Sequence, residues 1–374
     1  MKFTCTKENL LKGLQLVIGI TTKPGNLPIL SNINIEAEES GVRLISTNLE
    51  IGITAYVRAK VSEPGSFTVP AKTMGDFVGL IRQEHIDISL IKNQLLIASG
   101  TSSTKIKGVS SEEFPVIPDI EEGDAYTIDA ETFRQGMSDI VFAAAKNEIR
   151  PELSGVYFGF FTESRPGLTL AATDSYRLAE KTITVSQGDT SCVCIVPAKT
   201  IAEFIRLIGL HPPSGQKETQ VRLWVSENQV AIRYNECEIT SRVIEGTYPD
   251  YTQIIPTKFT TVATVPCDLL QNGIKAASLF TNTGVNAVSL VINPDSSKVN
   301  ISSLSAQTGE HTTEIEASVV GEASNILLNH KYVLDGLSHL GGDIEFQMNG
   351  PESPSVLRKS GEGDYGYIVM PIRQ

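Results

Sequence analysis

The chain lacks the residue constellations that most enzymes and metal sites depend on. Its five histidines, His85, His211, His311, His330 and His339, form neither HxH nor HExxH. His330 and His339 stand nine apart, too far for one helix face to present both to a metal, so structural or solvent roles are expected and no metal site is assigned. Cysteine is scarce and odd in number: Cys5, Cys192, Cys194, Cys237 and Cys267. The one close pair, Cys192-Val193-Cys194, is a residue short of CxxC. That speaks against a zinc site or a disulfide framework and fits a reducing, cytoplasmic setting. No apolar run approaches 18 residues, so no membrane span is expected. The opening Met1-Lys2-Phe3-Thr4 has no apolar run followed by small residues, so no targeting segment is expected either.

Phosphate cradles and nucleophiles are missing too. Gly361-Glu362-Gly363-Asp364-Tyr365-Gly366 spells GxGxxG, but a dinucleotide site needs a strand before it and a helix opening at it. Tyr367 to Met370 reads instead as a last strand, and Glu362 and Asp364 would repel phosphate, so a hairpin turn is expected. Thr173-Asp174-Ser175-Tyr176-Arg177 sets a hydroxyl beside a carboxylate with no histidine nearby in sequence, no GxSxG elbow and no Walker lysine. An Asp-Ser pair of this kind reads as a turn. No catalytic residue and no cofactor is assigned, which leans toward a binding or scaffold protein.

Positive charge is short. Lys and Arg total 31 against 43 Asp and Glu, a net charge of −12. A generic nucleic-acid binder is usually basic. If this chain meets DNA, cations must be gathered on one local surface and the acidic excess carried elsewhere.

What the chain has is internal repetition. Val69-Pro70-Ala71-Lys72-Thr73-Met74-Gly75-Asp76-Phe77 returns 127 residues on as Val196-Pro197-Ala198-Lys199-Thr200-Ile201-Ala202-Glu203-Phe204. A weaker third copy, Leu328-Asn329-His330-Lys331-Tyr332-Val333-Leu334-Asp335, lies a further 132 along. Phe3 to Leu14 lines up with Tyr126 to Met137 and Ala263 to Ile274, which puts Gly13, Gly136 and Gly273 in register. Pro28-Ile29-Leu30-Ser31 matches Pro151-Glu152-Leu153-Ser154, and the first two units close with Phe114-Pro115 and Tyr248-Pro249. A third of 374 residues is the size of a domain, not of a solenoid unit.

Each unit reads as mixed helix and strand. Lys7 to Ile18 carries Leu10, Leu11, Leu14, Val17 and Ile18 at helical spacing. Strand-like runs follow at Ile33 to Ile35, Val42 to Ile45 and Ile51 to Val57. Pro70 then opens a second helix over about Ala71 to Arg82, and hairpin strands follow at Ile86 to Leu90, Gln94 to Ala98 and Ser103 to Val109. Helix, strands, helix, strands indicates an α+β domain with antiparallel sheet. Boundaries are expected at Asp119 to Asp124 and near Ile255-Pro256-Thr257, giving domains 1–122, 123–255 and 256–374.

The repeats and several motifs together resemble the bacterial sliding clamps, the beta subunit of DNA polymerase III. Met1-Lys2-Phe3-Thr4 and Leu27-Pro28-Ile29-Leu30-Ser31-Asn32 look like the family's opening, and Thr47-Asn48-Leu49-Glu50 is close to its Thr-Asp-Leu-Glu. Ala172 to Ala179 is similar to its central signature. Gly246-Thr247-Tyr248-Pro249-Asp250-Tyr251 and Val369-Met370-Pro371-Ile372-Arg373 complete a resemblance that spans the chain. It implies three clamp domains per chain and a ring-shaped, head-to-tail homodimer, with helices lining a central hole and antiparallel sheets outside. It also implies a non-enzymatic role: encircling double-stranded DNA without regard to sequence and holding the replicative polymerase in place.

The resemblance assigns DNA contacts to Lys72, Lys199 and Lys331 on the second helices, and to Lys23, Asn147 and Arg150 in loops after the first helices. The family often has arginine where this chain has Pro24. A pocket for short linear peptides of the polymerase, clamp loader and repair proteins is implied at Leu153, Thr173, Ser175, Tyr176, Arg177, Leu178, Pro249, Ile254, Ser355, Ile368, Met370, Pro371 and Ile372. Leu153, Leu178, Ile254 and Ile368 would be its apolar walls, and flexible Met370 would adapt to varied ligands. Tyr176 stands where histidine is frequent, and Gln253 where arginine is. Ile106, Leu279 and Phe280 match the family's dimer seam, where Lys105 and Lys107 flank Ile106 on a strand suited to edge pairing. Two rival readings are a hydrolase using Asp174 and Ser175, and a repeat scaffold with no DNA role.

Overall fold

The computed structural model of the chain describes residues 1–21, 27–117, 123, 125–147, 149–162, 165–210, 219–282 and 284–373. Six helices are present among them: α1 (Lys7–Ile18), α2 (Ala71–Leu80), α3 (Ala130–Val141), α4 (Ala198–Leu210), α5 (Cys267–Ser278) and α6 (His330–Leu337). The first, third and fifth occupy the places expected for the repeated opening helix, and the other three those of the second helix. Among the described residues no helix is long and apolar enough to cross a membrane.

Local chemistry accounts for the helix boundaries. Thr6 caps α1 by accepting from the Asn9 N–H at 3.3 Å, and Leu10, Leu14 and Val17 on its inner face are fully buried. Pro70 is the last residue of the strand Gly65–Pro70 and the residue before α2, not its first helical residue, and α2 stops at Leu80, two residues short of the sequence expectation. The Lys7 ammonium explains the stop: it donates to the carbonyls of Gly79 and Ile81, closing the negative end of the helix with a cation.

The repeats recur down to single hydrogen bonds. Pro28–Ser31 and Pro151–Ser154 each form one turn of 3-10 helix. Ser31 Oγ donates to the Pro28 carbonyl at 2.6 Å, and Ser154 Oγ to the Pro151 carbonyl at 2.7 Å. The in-register helix glycines have one shared purpose. A Cβ on Gly13 would lie 2.5 Å from Val57 and 3.1 Å from Leu44. On Gly136 it would lie 3.1 Å from Ile183 and 3.4 Å from Leu170, and on Gly273 2.7 Å from Ile301 and 3.2 Å from Ile315. In each repeat the glycine lets the helix backbone settle onto the same two strands.

By contacts the chain divides into two compact units. One comprises Met1–Gln135, Val185–Thr190 and Lys199–Val243; the other comprises Gly136–Thr184, Ser191–Ala198 and Ile244–Gln374. The first holds a five-stranded and an eight-stranded sheet, the second a nine-stranded and a four-stranded one. All strand pairings are antiparallel, as expected for this class. The eight-stranded sheet is continuous across two repeats, because Cys237–Arg242 pairs with Ile51–Val57 in the register Cys237↔Ala55 to Ser241↔Ile51. The nine-stranded sheet is continuous across the next two, because Tyr365–Val369 pairs with Arg177–Ile183 in the register Tyr365↔Lys181 to Val369↔Arg177. Strands Ser355–Lys359 and Tyr365–Val369 form a hairpin, so the formal GxGxxG is the turn it was expected to be.

The helix–sheet spacing predicts a graded response to alanine at the repeated glycines. Alanine gains about 1 kcal/mol in helix propensity over glycine, whereas forced overpacking costs about 1–3 kcal/mol. Gly13→Ala, with its 2.5 Å approach, is expected to lower the urea midpoint. Gly136→Ala, with no approach under 3.1 Å, is expected to leave it near the native value. Equal losses at both positions would contradict this account of the packing.

Candidate functional site

The stretch Thr173-Asp174-Ser175-Tyr176-Arg177 is a tight turn between strands Leu168–Thr173 and Arg177–Ile183. Thr173 Oγ1 donates to the Arg177 carbonyl at 2.6 Å and accepts from the Ser175 N–H at 3.1 Å. Asp174 Oδ1 accepts from the N–H groups of Tyr176 and Arg177 at 3.0 and 3.1 Å. Ser175 sits at φ +77°, held there by these bonds. The same turn is built at Thr47-Asn48-Leu49-Glu50-Ile51, where Thr47 donates to the Ile51 carbonyl, Asn48 accepts from Glu50 and Ile51, and Leu49 has φ +76°. Asp174 and Ser175 are therefore committed to turn formation, as Asn48 and Leu49 are in the first repeat.

Arg177 is 6% exposed, and each of its three guanidinium nitrogens donates a hydrogen bond. Nε donates to Asp174 Oδ2 at 3.0 Å, Nη1 to Asp335 Oδ2 at 2.5 Å, and Nη2 to the Phe142 carbonyl at 2.9 Å. Its Cζ lies 4.8 Å from the Tyr332 ring centroid, and that ring also stacks with Tyr176, the centroids 6.3 Å apart. The C-terminal residues run alongside: the Met370 N–H donates to the Tyr176 carbonyl at 2.9 Å, and the Ile372 N–H to the Leu327 carbonyl at 2.8 Å.

Beneath the turn lies an apolar cluster of Leu153, Ala171, Leu178, Ile195, Tyr248, Tyr251, Val356 and Ile368. Leu153 is 3% exposed, Leu178 not at all and Ile368 1%, so three of the four residues expected as walls form a closed floor. Ile254, at 39%, is the one open to solvent. Ser355 is buried and donates from Oγ to the Val369 carbonyl at 3.2 Å. Pro249, Met370, Pro371 and Ile372 are half-buried, Ser175 is exposed and Tyr176 is 62% exposed. The sequence-chosen residues thus come together in one place, as a floor, a turn above it and a rim. Sequence reasoning missed Phe142, Tyr332 and Asp335, which hold Arg177, and Tyr248 and Tyr251, which complete the floor. The aromatic-Pro motif contained a signal for Tyr248; nothing local marks the partners of Arg177.

Lys72, Lys199 and Lys331 each occupy the second residue of their helix and are exposed, and none forms an ion pair among the described residues. Asn147 is exposed, and Arg150 pairs with Glu152 at 3.0 Å. Lys23 lies outside the described residues. At the expected seam, Ile106 is 6% exposed on the edge strand Ser102–Lys107, with Lys105 and Lys107 exposed on either side of it. Leu279 is 71% exposed, and Phe280 stacks on His311 with ring centroids 5.7 Å apart. Among the described residues no group of three or more His, Cys, Asp or Glu is arranged to hold a metal ion. The five cysteines are free thiols, and burial pushes Cys5 and Cys237 up to about 12.

The Tyr248 hydroxyl ties floor to turn by accepting from the Thr173 N–H at 3.1 Å, and burial pushes its own ionisation upward. Tyr248→Phe leaves that buried N–H unpaired, and the expected loss of stability is about 1–3 kcal/mol. Denaturant titration of the variant and the native protein measures the difference. An unchanged midpoint for Tyr248→Phe would remove the hydroxyl from the account of the turn.

Comparison with known proteins places the chain. Residues 1–118, 127–250 and 252–373 match in turn the N-terminal, central and C-terminal domain models of the DNA polymerase III beta subunit. The beta sliding clamp of Synechococcus elongatus is 28% identical over 380 residues, covering 100% of this chain and 99% of its own, and that of Haemophilus influenzae is 26% identical with 100% of both covered. The crystal structure of the DNA polymerase sliding clamp from Bacillus subtilis superposes with a TM-score of 0.92 at 27% identity, covering 100% of this chain and 99% of the other. The DNA polymerase III beta subunit of Pseudomonas aeruginosa gives 0.93 at 25%, with 100% of both covered. With three clamp domains matched in order along its length, the chain belongs to the DNA polymerase III beta subunit family, the sliding clamps of DNA replication.

Proposed function

We propose that two copies of the chain close head to tail into a ring around duplex DNA and tether the replicative polymerase, and other proteins bearing short linear motifs, for processive synthesis. The domains are taken as 1–122, 123–255 and 256–374, the setting as the cytoplasm, and the role as mechanical, with no reaction of the chain's own.

The observation that carries this reading is a rule of strand pairing. In the second and third repeats the last strand extends the sheet of the repeat before it, pairing with the strand that follows the Thr47 or Thr173 turn. The first repeat's last strand, Ser102–Lys107, has no preceding repeat to join and forms the edge of the five-stranded sheet. In the third repeat the strand after the corresponding turn, Gly309–Glu316, is the edge of the four-stranded sheet. A second copy obeying the same rule would pair these two edges and unite the sheets into one of nine strands. The register follows from the two existing junctions: Ile106 opposite Gly309, Lys105 opposite Glu310 and Thr104 opposite His311. Lys105 then stands directly opposite Glu310, a cross-strand pair of opposite charge. Each copy offers one edge of each kind, as head-to-tail association requires, and two copies close into a ring when the rotation between them completes the turn.

A ring holds DNA by topology, so its contacts can be few and weak. Lys72, Lys199 and Lys331, with Asn147, Arg150 and Lys23, are suited to touching phosphates, which carry no sequence information and allow sliding. The Arg150–Glu152 pair is exposed and contributes little on its own, so exchanging the glutamate for a phosphate costs little. Partner peptides would dock on the rim of Ser175, Tyr176, Pro249, Ile254, Met370, Pro371 and Ile372, over the floor of Leu153, Leu178 and Ile368, with Thr173, Arg177 and Ser355 holding the frame.

Two experiments test this. Light scattering is expected to give about twice 40.5 kDa. Lys105→Glu should weaken the dimer, and Glu310→Lys in the same chain should restore it by about 1 kcal/mol of the pair's coupling. A monomeric native protein, or a double variant no better than the single, refutes the pairing. After loading, the protein should stay on circular plasmid and leave the same plasmid once linearised; equal retention on both refutes topological linkage.

A further inference from the structure

We infer that Asp335 is a positioning residue for the partner site, acting through Arg177 to fix where Tyr176 and the C-terminal segment stand; this rests on the reading of that rim as the peptide site. Arg177 cannot greet a ligand itself. It is 6% exposed, each of its three nitrogens donates to one of Asp174, Asp335 and the Phe142 carbonyl, and the Tyr332 ring lies against the guanidinium. A guanidinium so enclosed is a clasp.

The first repeat shows what the clasp is not for. There Ile51 stands at the position of Arg177, yet the turn before it has the same hydrogen bonds and the same positive φ. The turn therefore folds without an arginine. What Arg177 adds is a connection: through Asp335 and Tyr332 it binds the turn to α6, and through Phe142 to the residues that follow α3. The surface a ligand would meet hangs on that connection. Tyr176 is 62% exposed, its ring stacks on Tyr332, and its carbonyl holds the Met370 N–H. Asp335 is the outermost link, with its side chain half exposed, whereas that of Asp174 is 16% exposed. Removing its charge releases one end of the clasp without opening the core. An ion pair that open contributes little to global stability, so a loss of binding without a loss of stability marks positioning.

The test uses the full-length protein, a fluorescein-labelled hexapeptide carrying Leu and Phe, and hydrogen exchange across residues 172–179. Asp335→Asn should weaken peptide affinity about tenfold, speed exchange in the turn by a similar factor and leave the urea midpoint unchanged. Asp335→Glu should recover most of both losses. Unchanged turn exchange in Asp335→Asn overturns the clasp, as does an equal loss in Asp335→Glu. If the wild-type protein, and equally a variant lacking the last five residues, fails to bind the peptide, the site reading falls and takes the positioning role with it, while faster exchange in Asp335→Asn would still establish the clasp.

Discussion

An edge strand is a row of backbone donors and acceptors that must find partners or face water. This chain answers that constraint by letting the last strand of one repeat continue the sheet of the repeat before it, through Cys237–Arg242 on Ile51–Val57 and Tyr365–Val369 on Arg177–Ile183. The continuity of the eight- and nine-stranded sheets depends on this single pairing. So does the position of the candidate partner site, since Leu178 and Ile368 are opposite one another in that ladder. The helices are seated on the sheets by a second constraint, the missing Cβ at Gly13, Gly136 and Gly273. Both constraints are repeated, and so the same design recurs with different side chains.

Those side chains are where the repeats diverge in use. The turn after the third strand of each of the first two repeats is the same object. In one it ends in Ile51 and in the other in Arg177, and only the second is wired to a neighbouring helix. Second helices carry lysine at the same position three times, although the chain as a whole is acidic. A net charge of −12 describes the average surface, whereas phosphate recognition depends on local cations within a Debye length of about 8 Å. The acidic total and a DNA-facing role are therefore compatible.

Much of the fold was legible because its signals are local. Helix α1 follows from apolar spacing over Lys7–Ile18 and a Thr6 cap, and strands Asn32–Glu38, Gly41–Thr47 and Ile51–Val57 fall where the alternation placed them, whereas Lys2–Thr6, Ala59–Glu63 and Gly65–Pro70 carry no such signal. The GxGxxG and Asp-Ser segments read correctly as turns because glycine and short polar side chains carry their own conformational instructions. Less legible was the end of α2, which depends on Lys7, more than seventy residues away in sequence. The candidate site was legible as a set of positions but not as a set of roles. Leu153, Leu178 and Ile368 look like binding surface in a linear motif, yet they are closed floor, because burial is decided by Tyr248, Tyr251 and Val356 arriving from elsewhere.

The amino-acid sequence by itself determined that there are three repeats, which segments turn, where glycine must stand and which lysines recur, since each of these is a matter of spacing and of residue chemistry within a few positions. Only the tertiary structure decided that strands of successive repeats share a ladder, that Arg177 is enclosed by Asp174, Asp335 and Phe142, and that Ser102–Lys107 and Gly309–Glu316 each lie at the edge of a sheet. Those outcomes depend on contacts between residues distant in the chain, where the partner of a group is set by how backbones pair and not by what stands next to it.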